Sequence, residues 1–337
     1  MLSGKREFIA QIYTPLNTLA LMKGLPPRSL HPLLQILLVL GLAVVGLSLA
    51  SFVALVIAQS FYGLSALQFG DLAARPERHA QAWPVLMLLQ GLSLAGVGVG
   101  ALVLPRVLRQ SVSAYFAPRR LGAAWWLLAA GLLIICLVPA LSAIVAWNAG
   151  VHFPAALHDF ELWARAKEDQ AAELTRFLTQ FTSLGRFLVG LLVIAVVPAV
   201  AEELVFRGVI QRNLIRWFGS RHVGVWLAAA LFSAIHFQFF GFVPRFLLGL
   251  VLGYLYEWSG NILVPMAAHF TNNALQLLLL YLAQGRHLPS SFDPDSNQAL
   301  PWPSVLLSVV LSLGLLYQLH RRLAPAGTLA DTTPSSL

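Results

Sequence analysis

The stretch "VVPAVAEELVFRGVI", residues 196–210, is apolar along almost its whole length, yet it contains Glu202, Glu203 and Arg207. A charged side chain inside a membrane is costly unless it is paired or hydrated, so such residues are rare and usually functional. These three charges therefore mark the helix around which a functional site is expected.

The composition of the whole chain explains why this stretch is expected to lie in lipid. The 337 residues are 58% hydrophobic and 11% charged, whereas a soluble domain has about 25% charged residues. Apolar runs close to the ~20 residues that a membrane helix needs predict an all-α, polytopic membrane helix bundle of about eight transmembrane helices. The predicted segments are 33–60, 83–105, 121–147, 187–210, 224–240, 242–258, 262–284 and 303–320.

A single transmembrane domain is predicted over residues 33–320, with its motif-bearing core at 187–285. Residues 1–32 contain basic side chains but no long apolar run, which predicts a cytoplasmic or interfacial segment. The small, polar residues of 321–337 predict a disordered tail.

The net charge of +8 would suggest a nucleic-acid partner in a soluble protein. In a membrane protein, basic residues instead flank the spans and set their orientation. The two chain ends and the connections expected on the same side of the membrane contain more Lys and Arg than the connections expected on the other side. Arg245 falls in a connection of the second kind. The charge pattern therefore predicts that both termini are cytoplasmic and that nucleic acid is not a partner. The basic loops, together with the lack of a targeting signal, fit a bacterial inner membrane.

The longest connection between predicted spans, about 148 to 186, contains "DFELWARAKEDQAAELTRFLTQF". Its residues Leu174, Phe177, Leu178 and Phe181 recur at helical spacing. This spacing predicts an amphipathic helix that rests on the outer surface or on the bundle.

Glu203 and Arg207 are four residues apart, with the glutamate on the N-terminal side, which is the favourable order for an ion pair on one helix face. Glu202 lies about 100° around the helix from Glu203 and has no evident partner on its own helix. Pro198, one turn earlier, disturbs the helix and frees a backbone carbonyl. Glu202 is thus the unpaired charge that most needs a functional explanation.

Later spans supply polar groups at a similar predicted depth. "LFSAIHF" places His236 late in the fifth predicted span, one turn after Phe232, and "AAHFTNNA" places His269 and Asn273 on one face of the seventh. A single histidine in an apolar helix is usually a hydrogen-bonded packing residue. Polar groups on three spans together indicate a shared site.

The order EExxxR, FxxxH and HxxxN on separate membrane helices resembles the CAAX prenyl protease type II and bacteriocin-processing family (CPBP, also called Abi) of intramembrane proteases. The motifs here are "EELVFR", "FSAIH" and "HFTNN", within residues 187–285. The resemblance implies a helical bundle whose cavity is lined by the fourth, fifth and seventh spans.

The resemblance also implies a role for each motif residue. Glu202, helped by His236, would activate a water molecule, and His269 with Asn273 would bind the oxyanion. Glu203 and Arg207 would orient the site as supporting residues. Phe232 would either support the site or serve only in packing.

Two views of a cofactor stay open, because this family has been described both as metalloproteases and as metal-free glutamate proteases. Glu202, His236 and His269 offer one oxygen and two nitrogens, the ligand set of a catalytic zinc ion with one open position. The HExxH signature of zinc proteases is absent. The metal-free alternative is favoured.

The predicted activity is therefore hydrolysis of a peptide bond in a membrane-associated protein or peptide within the lipid bilayer. Two other classes of function remain. One is a non-catalytic membrane scaffold or immunity factor that binds a partner through the same residues. The other is a proton-coupled transporter in which Glu202 and the histidines form a relay, although no inverted repeat favours it.

Overall fold

The computed structural model describes residues 30–289, 293, 294 and 296–323. Throughout this part of the chain the regular elements are helical and there is no strand, so the all-α prediction is confirmed. The predicted N-terminal segment, 1–32, and the predicted tail, 321–337, lie almost wholly outside the described residues.

The long helices are numbered here in chain order. They are α1 Pro32–Tyr62, α2 Ala82–Val107, α3 Trp125–Ala149, α4 His158–Leu178, α5 Leu184–Phe218, α6 Arg221–Ala234, α7 Phe242–Ser259, α8 Leu263–Gln284 and α9 Trp302–Leu323. Short helical turns occupy Ala66–Ala74, Pro76–Arg78, Val112–Phe116 and Ala155–Leu157.

Within the described residues, seven of the eight predicted spans coincide with helices of 18 or more residues, and these apolar helices mark an integral membrane protein. Among the helices of the described residues, five are long and apolar enough to cross a membrane, namely α1, α2, α3, α5 and α9. By contrast, α6 has only 14 residues, or about 21 Å at 1.5 Å per residue, and the hydrocarbon core is about 30 Å thick. A total of eight crossings therefore stays a prediction.

The fifth predicted span, 224–240, is wrong in its extent. Helix α6 ends at Ala234, and residues 235–241 form a loop. His236 therefore lies just past the helix rather than within it. The apolar sequence could not show this break, because side chains from other helices satisfy the backbone of the loop.

Glycines bring α1 and α2 into backbone contact. A Cβ atom added to Gly96 would lie 2.2 Å from the Gly46 carbonyl oxygen, and one added to Gly100 would lie 2.4 Å from the Leu42 carbonyl oxygen. No real Cβ approaches so closely. The Gly96 and Gly100 pair therefore packs as small-residue pairs do between membrane helices.

We expect Gly100→Ala to lower the free energy of unfolding by about 1–3 kcal/mol, the usual cost of overpacking. Gly41→Ala is the matched control, because Gly41 lies on α1 with no atom within 4 Å of its added Cβ, and alanine favours helix over glycine. Thermal unfolding in detergent micelles measures both. Equal melting temperatures for the two variants would contradict the close contact.

The predicted amphipathic helix is present as α4, which packs on the bundle. The indole Nε1 of Trp83, on α2, donates to the carbonyl of Leu178, the last residue of α4, at 2.8 Å. Leu178 and Phe181 are buried, whereas Leu174 is 40% exposed. Phe181 lies beyond the end of the helix.

Glu161 ties the start of α4 to the segment that precedes it. Its carboxylate accepts from the Phe153 backbone N–H and from the Arg165 and His152 side chains, each at 2.8 Å. These bonds, the Phe153 N–H above all, lower the pKa of Glu161 from 4.5 to about 2. Because the folded pKa lies below its ordinary value, this attachment stabilises the fold above about pH 4.5 and weakens as the pH falls towards 2.

Candidate active site

Helix α5 carries both glutamates on a short α-helical piece between two π-helical turns. The turns occupy Leu191–Val196 and Phe206–Gln211, and the piece between them is Val197–Val205. Such turns are frequent at functional sites. They change which side chains of α5 face its neighbours.

The first turn is tied to α8 through Asn273. Pro198 has no N–H and cannot donate to the Ile194 carbonyl four residues earlier. The Asn273 Nδ2 donates to that carbonyl instead, at 3.4 Å, and the Asn273 Oδ1 accepts from the Asn272 amide at 3.1 Å. Asn273 thus has one anchoring bond to α5, and its amide has a second N–H to offer.

Glu203 and Arg207 form the ion pair that their spacing predicts. The Arg207 Nη1 donates to the Glu203 Oε1 at 2.8 Å, and the Arg207 and Glu203 side chains are 1% and 0% exposed. The Arg207 Nη2 also donates to the Gly249 carbonyl on α7, at 3.2 Å. A buried charge pair with these extra bonds fixes α5 against α7.

His269 on α8 is bonded to the same carboxylate. Its Nδ1 lies 2.8 Å from the Glu203 Oε1, and its Nε2 lies 3.9 Å from the Glu202 Oε2. An ionised carboxylate only accepts hydrogen bonds, so Nδ1 carries the proton and Nε2 faces Glu202. The two adjacent glutamates therefore have different surroundings.

Glu202 is the more accessible of the two glutamates. Its side chain is 17% exposed, and it accepts no hydrogen bond from the described residues. Glu203 is instead fully enclosed and holds Arg207 and His269 together. Sequence spacing separated the two residues correctly, but it did not show that His269 bonds to Glu203 and faces Glu202.

His236 joins this group through Phe232 rather than by direct contact with Glu202. The His236 Nδ1 donates to the Phe232 carbonyl at 2.8 Å, which leaves Nε2 as an acceptor. The Phe232 ring packs edge-on against His236 and His269, with centroids 5.2 and 5.9 Å apart. The Arg207 guanidinium lies over the same ring at 4.5 Å, so Phe232 sits at the centre of the cluster.

The loop that holds His236 is secured by residues that sequence reasoning missed. Asn148 on α3 donates to the Phe239 carbonyl at 3.4 Å and accepts from the Val243 N–H at 2.9 Å. Glu168 on α4 accepts from the Phe240 N–H at 2.7 Å. No local pattern distinguishes these two side chains from ordinary helix residues.

The next residue, Phe237, takes an unusual conformation. Its φ of 52° is in the left-handed region, although it is not a glycine, and its side chain is 70% exposed. Such strain persists only where the surroundings impose it, and it is concentrated at functional sites. The bonds to the loop from α3 and α4 are the surroundings that do so here.

The predicted cavity between the fourth, fifth and seventh spans, which are α5, α6 and α8, stays a prediction. Cavities lined by described residues elsewhere in the bundle include two next to α2 and α3. One of about 340 Å³ lies between α2 and α4 and is lined by Leu86, Gln90, Ser93 and Leu174 among others. One of about 370 Å³ lies between α3 and α9, beside Trp125 and Arg322.

The side chains that could bind a zinc ion at this site are Glu202, His236 and His269. Both histidines have an engaged Nδ1 and a remaining Nε2, as metal-binding histidines usually do. However, the described residues contain no group of three or more His, Cys, Asp or Glu side chains placed to hold one ion. As arranged, Glu202, His236 and His269 do not fit the zinc ion that the resemblance left open.

Comparison with known proteins places the motif region in a family. Residues 184–275, which contain every motif residue, match the family described as Rce1-like, type II CAAX prenyl endopeptidase. An uncharacterized Bacillus subtilis (strain 168) protein, YpbD, is 40% identical over 81 residues. That alignment covers 23% of this chain and 38% of YpbD, so the chain matches well under half of that relative's length. No solved structure matches the chain. Over residues 184–275, the chain is therefore similar to the type II CAAX prenyl endopeptidases, the family that its three motifs predicted.

Proposed function

We propose that this protein is an intramembrane endopeptidase that hydrolyses a peptide bond of a membrane-associated protein or peptide. The observation that carries the proposal is the division between the two adjacent glutamates. Glu203 is closed to solvent and bonds through Oε1 to Arg207 and His269, whereas Glu202 is partly exposed, free of hydrogen bonds to the described residues and 3.9 Å from His269 Nε2. A scaffold has no need of a buried carboxylate kept free in this way.

Glu202 takes a proton from water, and the resulting hydroxide attacks the peptide carbonyl carbon. His236 helps, because its Nε2 accepts a hydrogen bond from the same water while Nδ1 is held by the Phe232 carbonyl. When the C–N bond breaks, Glu202 returns the proton to the leaving amine. Glu202 is thus base in the first step and acid in the second.

The oxyanion formed by this attack is bound by His269 and Asn273. Because the His269 Nδ1–H is bonded to Glu203, Nε2 can donate only when the ring carries both protons. Asn273 contributes the N–H that its bond to Ile194 leaves over.

The substrate is expected to reach the site from the lipid bilayer, and nucleic acid has no part in the reaction. We place the protein in a bacterial inner membrane with both termini cytoplasmic, on the basis of its Lys and Arg distribution. A membrane-associated substrate follows from the apolar helices that surround the site.

The experiment that tests the proposal compares cells that carry the wild-type chain with cells that carry the Glu202→Gln chain. New peptide ends in membrane proteins, found only with the wild type, support the endopeptidase. Uncut precursors that accumulate with the variant then identify the substrates.

We expect the protein to be active without a zinc ion. Pure, active protein is expected to contain well under one zinc ion per chain, and strong chelators should leave turnover intact, because the three candidate ligands are not gathered around one point. Elemental analysis and activity after chelation measure this. Stoichiometric zinc, with activity lost on chelation and restored by zinc alone, would make His236 and His269 ligands.

A further inference from the structure

Arg245 lies in the first turn of α7, where the helix dipole makes a basic side chain unfavourable. It is the fourth residue of that helix, close to the positive end of the dipole. It is also only partly exposed. A partly buried cation with no benefit to its helix needs another explanation.

The guanidinium of Arg245 is incompletely bonded. Its Nη2 donates to the Gln238 Oε1, while Nη1 is buried and has no hydrogen-bond partner among the described residues. Leaving a charged donor unsatisfied in the interior is expensive. The free N–H groups indicate that a ligand completes the site.

Arg245 is also near the proposed catalytic residues. Its Nη2 bond to Gln238 holds it against the loop that carries His236, which lies two residues before Gln238, and it forms no ion pair with any carboxylate of the described residues. Glu168 on α4 bonds to the same loop, but its carboxylate accepts from the Phe240 N–H rather than from Arg245.

We propose that Arg245 binds a carboxylate of the substrate and so sets where the peptide lies relative to Glu202; this inference rests on the proposed endopeptidase function. A guanidinium matches a carboxylate with two parallel N–H donors, and the N-terminus of α7 adds further positive potential. Because Arg245 does not contact Glu202, the carboxylate belongs to a group apart from the scissile bond. The shared chemistry is a carboxylate, from either a free C-terminus or an acidic side chain.

Binding to the Glu202→Gln protein in lipid nanodiscs tests this without need of turnover. The probes are fluorescent, palmitoylated decapeptides of varied apolar sequence, each made in three forms. The forms have a free C-terminal carboxylate, a C-terminal amide, or a C-terminal amide after a final aspartate. Fluorescence polarisation gives the dissociation constants.

We expect one carboxylate form to bind about 10- to 100-fold more tightly than the plain amide, as charge-assisted hydrogen bonds usually allow. Adding Arg245→Gln should reduce that preference to less than about threefold. Preference for the free terminus identifies terminal recognition, and preference for both acidic forms identifies a side-chain site. Arg176→Gln, which removes an exposed arginine of α4, should keep the full preference.

Two further variants keep the test decisive if Arg245→Gln folds poorly. Arg245→Lys keeps the charge but loses the two-pronged geometry, so it should retain only part of the preference. Gln238→Ala removes the neighbouring acceptor and should leave the preference intact. A preference that is absent in the parent protein, or unchanged in Arg245→Lys and Arg245→Gln, overturns the inference.

Cleavage of the same peptides by the wild-type protein is measured in parallel. If the wild-type protein cleaves the peptides but binding does not depend on Arg245, the endopeptidase function is supported and the role of Arg245 is wrong. If binding depends on the carboxylate and on Arg245 but no peptide or cellular protein is cleaved, the carboxylate site is supported and the endopeptidase function is wrong.

Discussion

Glu202→Gln is expected to abolish cleavage, with a loss of at least about 10³-fold in turnover, while leaving folding and membrane insertion close to normal. General acid–base catalysis contributes about 10²–10⁴-fold, and here one residue would act in both directions. Glutamine has nearly the shape of glutamate but cannot take a proton. Because Glu202 makes no hydrogen bond to the described residues and is 17% exposed, its replacement should break no structural contact.

Glu203→Gln is the matched control, because it makes the same chemical change at the adjacent residue. Glu203 is 0% exposed and bonds to Arg207 and His269, so its variant should lose thermal stability as well as activity. Thermal unfolding together with the appearance of new peptide ends in membranes separates the two effects. If the two variants have the same stability and the same activity, Glu202 and Glu203 do not have separate catalytic and structural roles.

The Glu202→Gln protein also separates the classes of function. A scaffold or immunity factor would keep its cellular phenotype. A proton-coupled transporter would lose flux but would leave no uncut protein behind. Full biological activity in this variant would end the endopeptidase proposal.

Arg207→Ala is expected to lower the free energy of unfolding by about 3–5 kcal/mol, the usual cost of leaving one member of a buried ion pair alone. The substitution removes the bonds to Glu203 and the Gly249 carbonyl and the contact with the Phe232 ring. The yield of folded protein in membranes and the melting temperature in micelles both measure the loss.

Two comparisons make this prediction specific. The double variant Glu203→Gln with Arg207→Gln removes both charges and should recover part of the yield, because no lone charge stays buried. Arg75→Ala breaks a pair with the same spacing to Asp71, but those side chains are 56% and 48% exposed, so the cost should stay below about 1 kcal/mol. Normal yields for Arg207→Ala would contradict the buried pair.

Much of the fold followed from local pattern. Apolar runs predicted where the long apolar helices lie, because a helix in lipid must satisfy its own backbone, and helical spacing predicted the amphipathic α4. Residues four apart on one helix are neighbours whatever surrounds them, so the Glu203 and Arg207 pair could be predicted from spacing alone. The order of the three motifs likewise indicated the family before any contact was known.

Contacts between helices were decided only by the tertiary structure. His269 bonds to Glu203 as well as facing Glu202, and no spacing within one helix predicts which atom of another helix it meets. His236 lies in a loop because Asn148 and Glu168, both distant in sequence, supply the bonds that its backbone would otherwise make within a helix. Arg245 counted as an ordinary loop charge until packing placed it against the loop that carries His236. The sequence by itself determined which residues could form a site, and packing determined which of them share one, because burial and hydrogen bonding depend on neighbours that are remote along the chain.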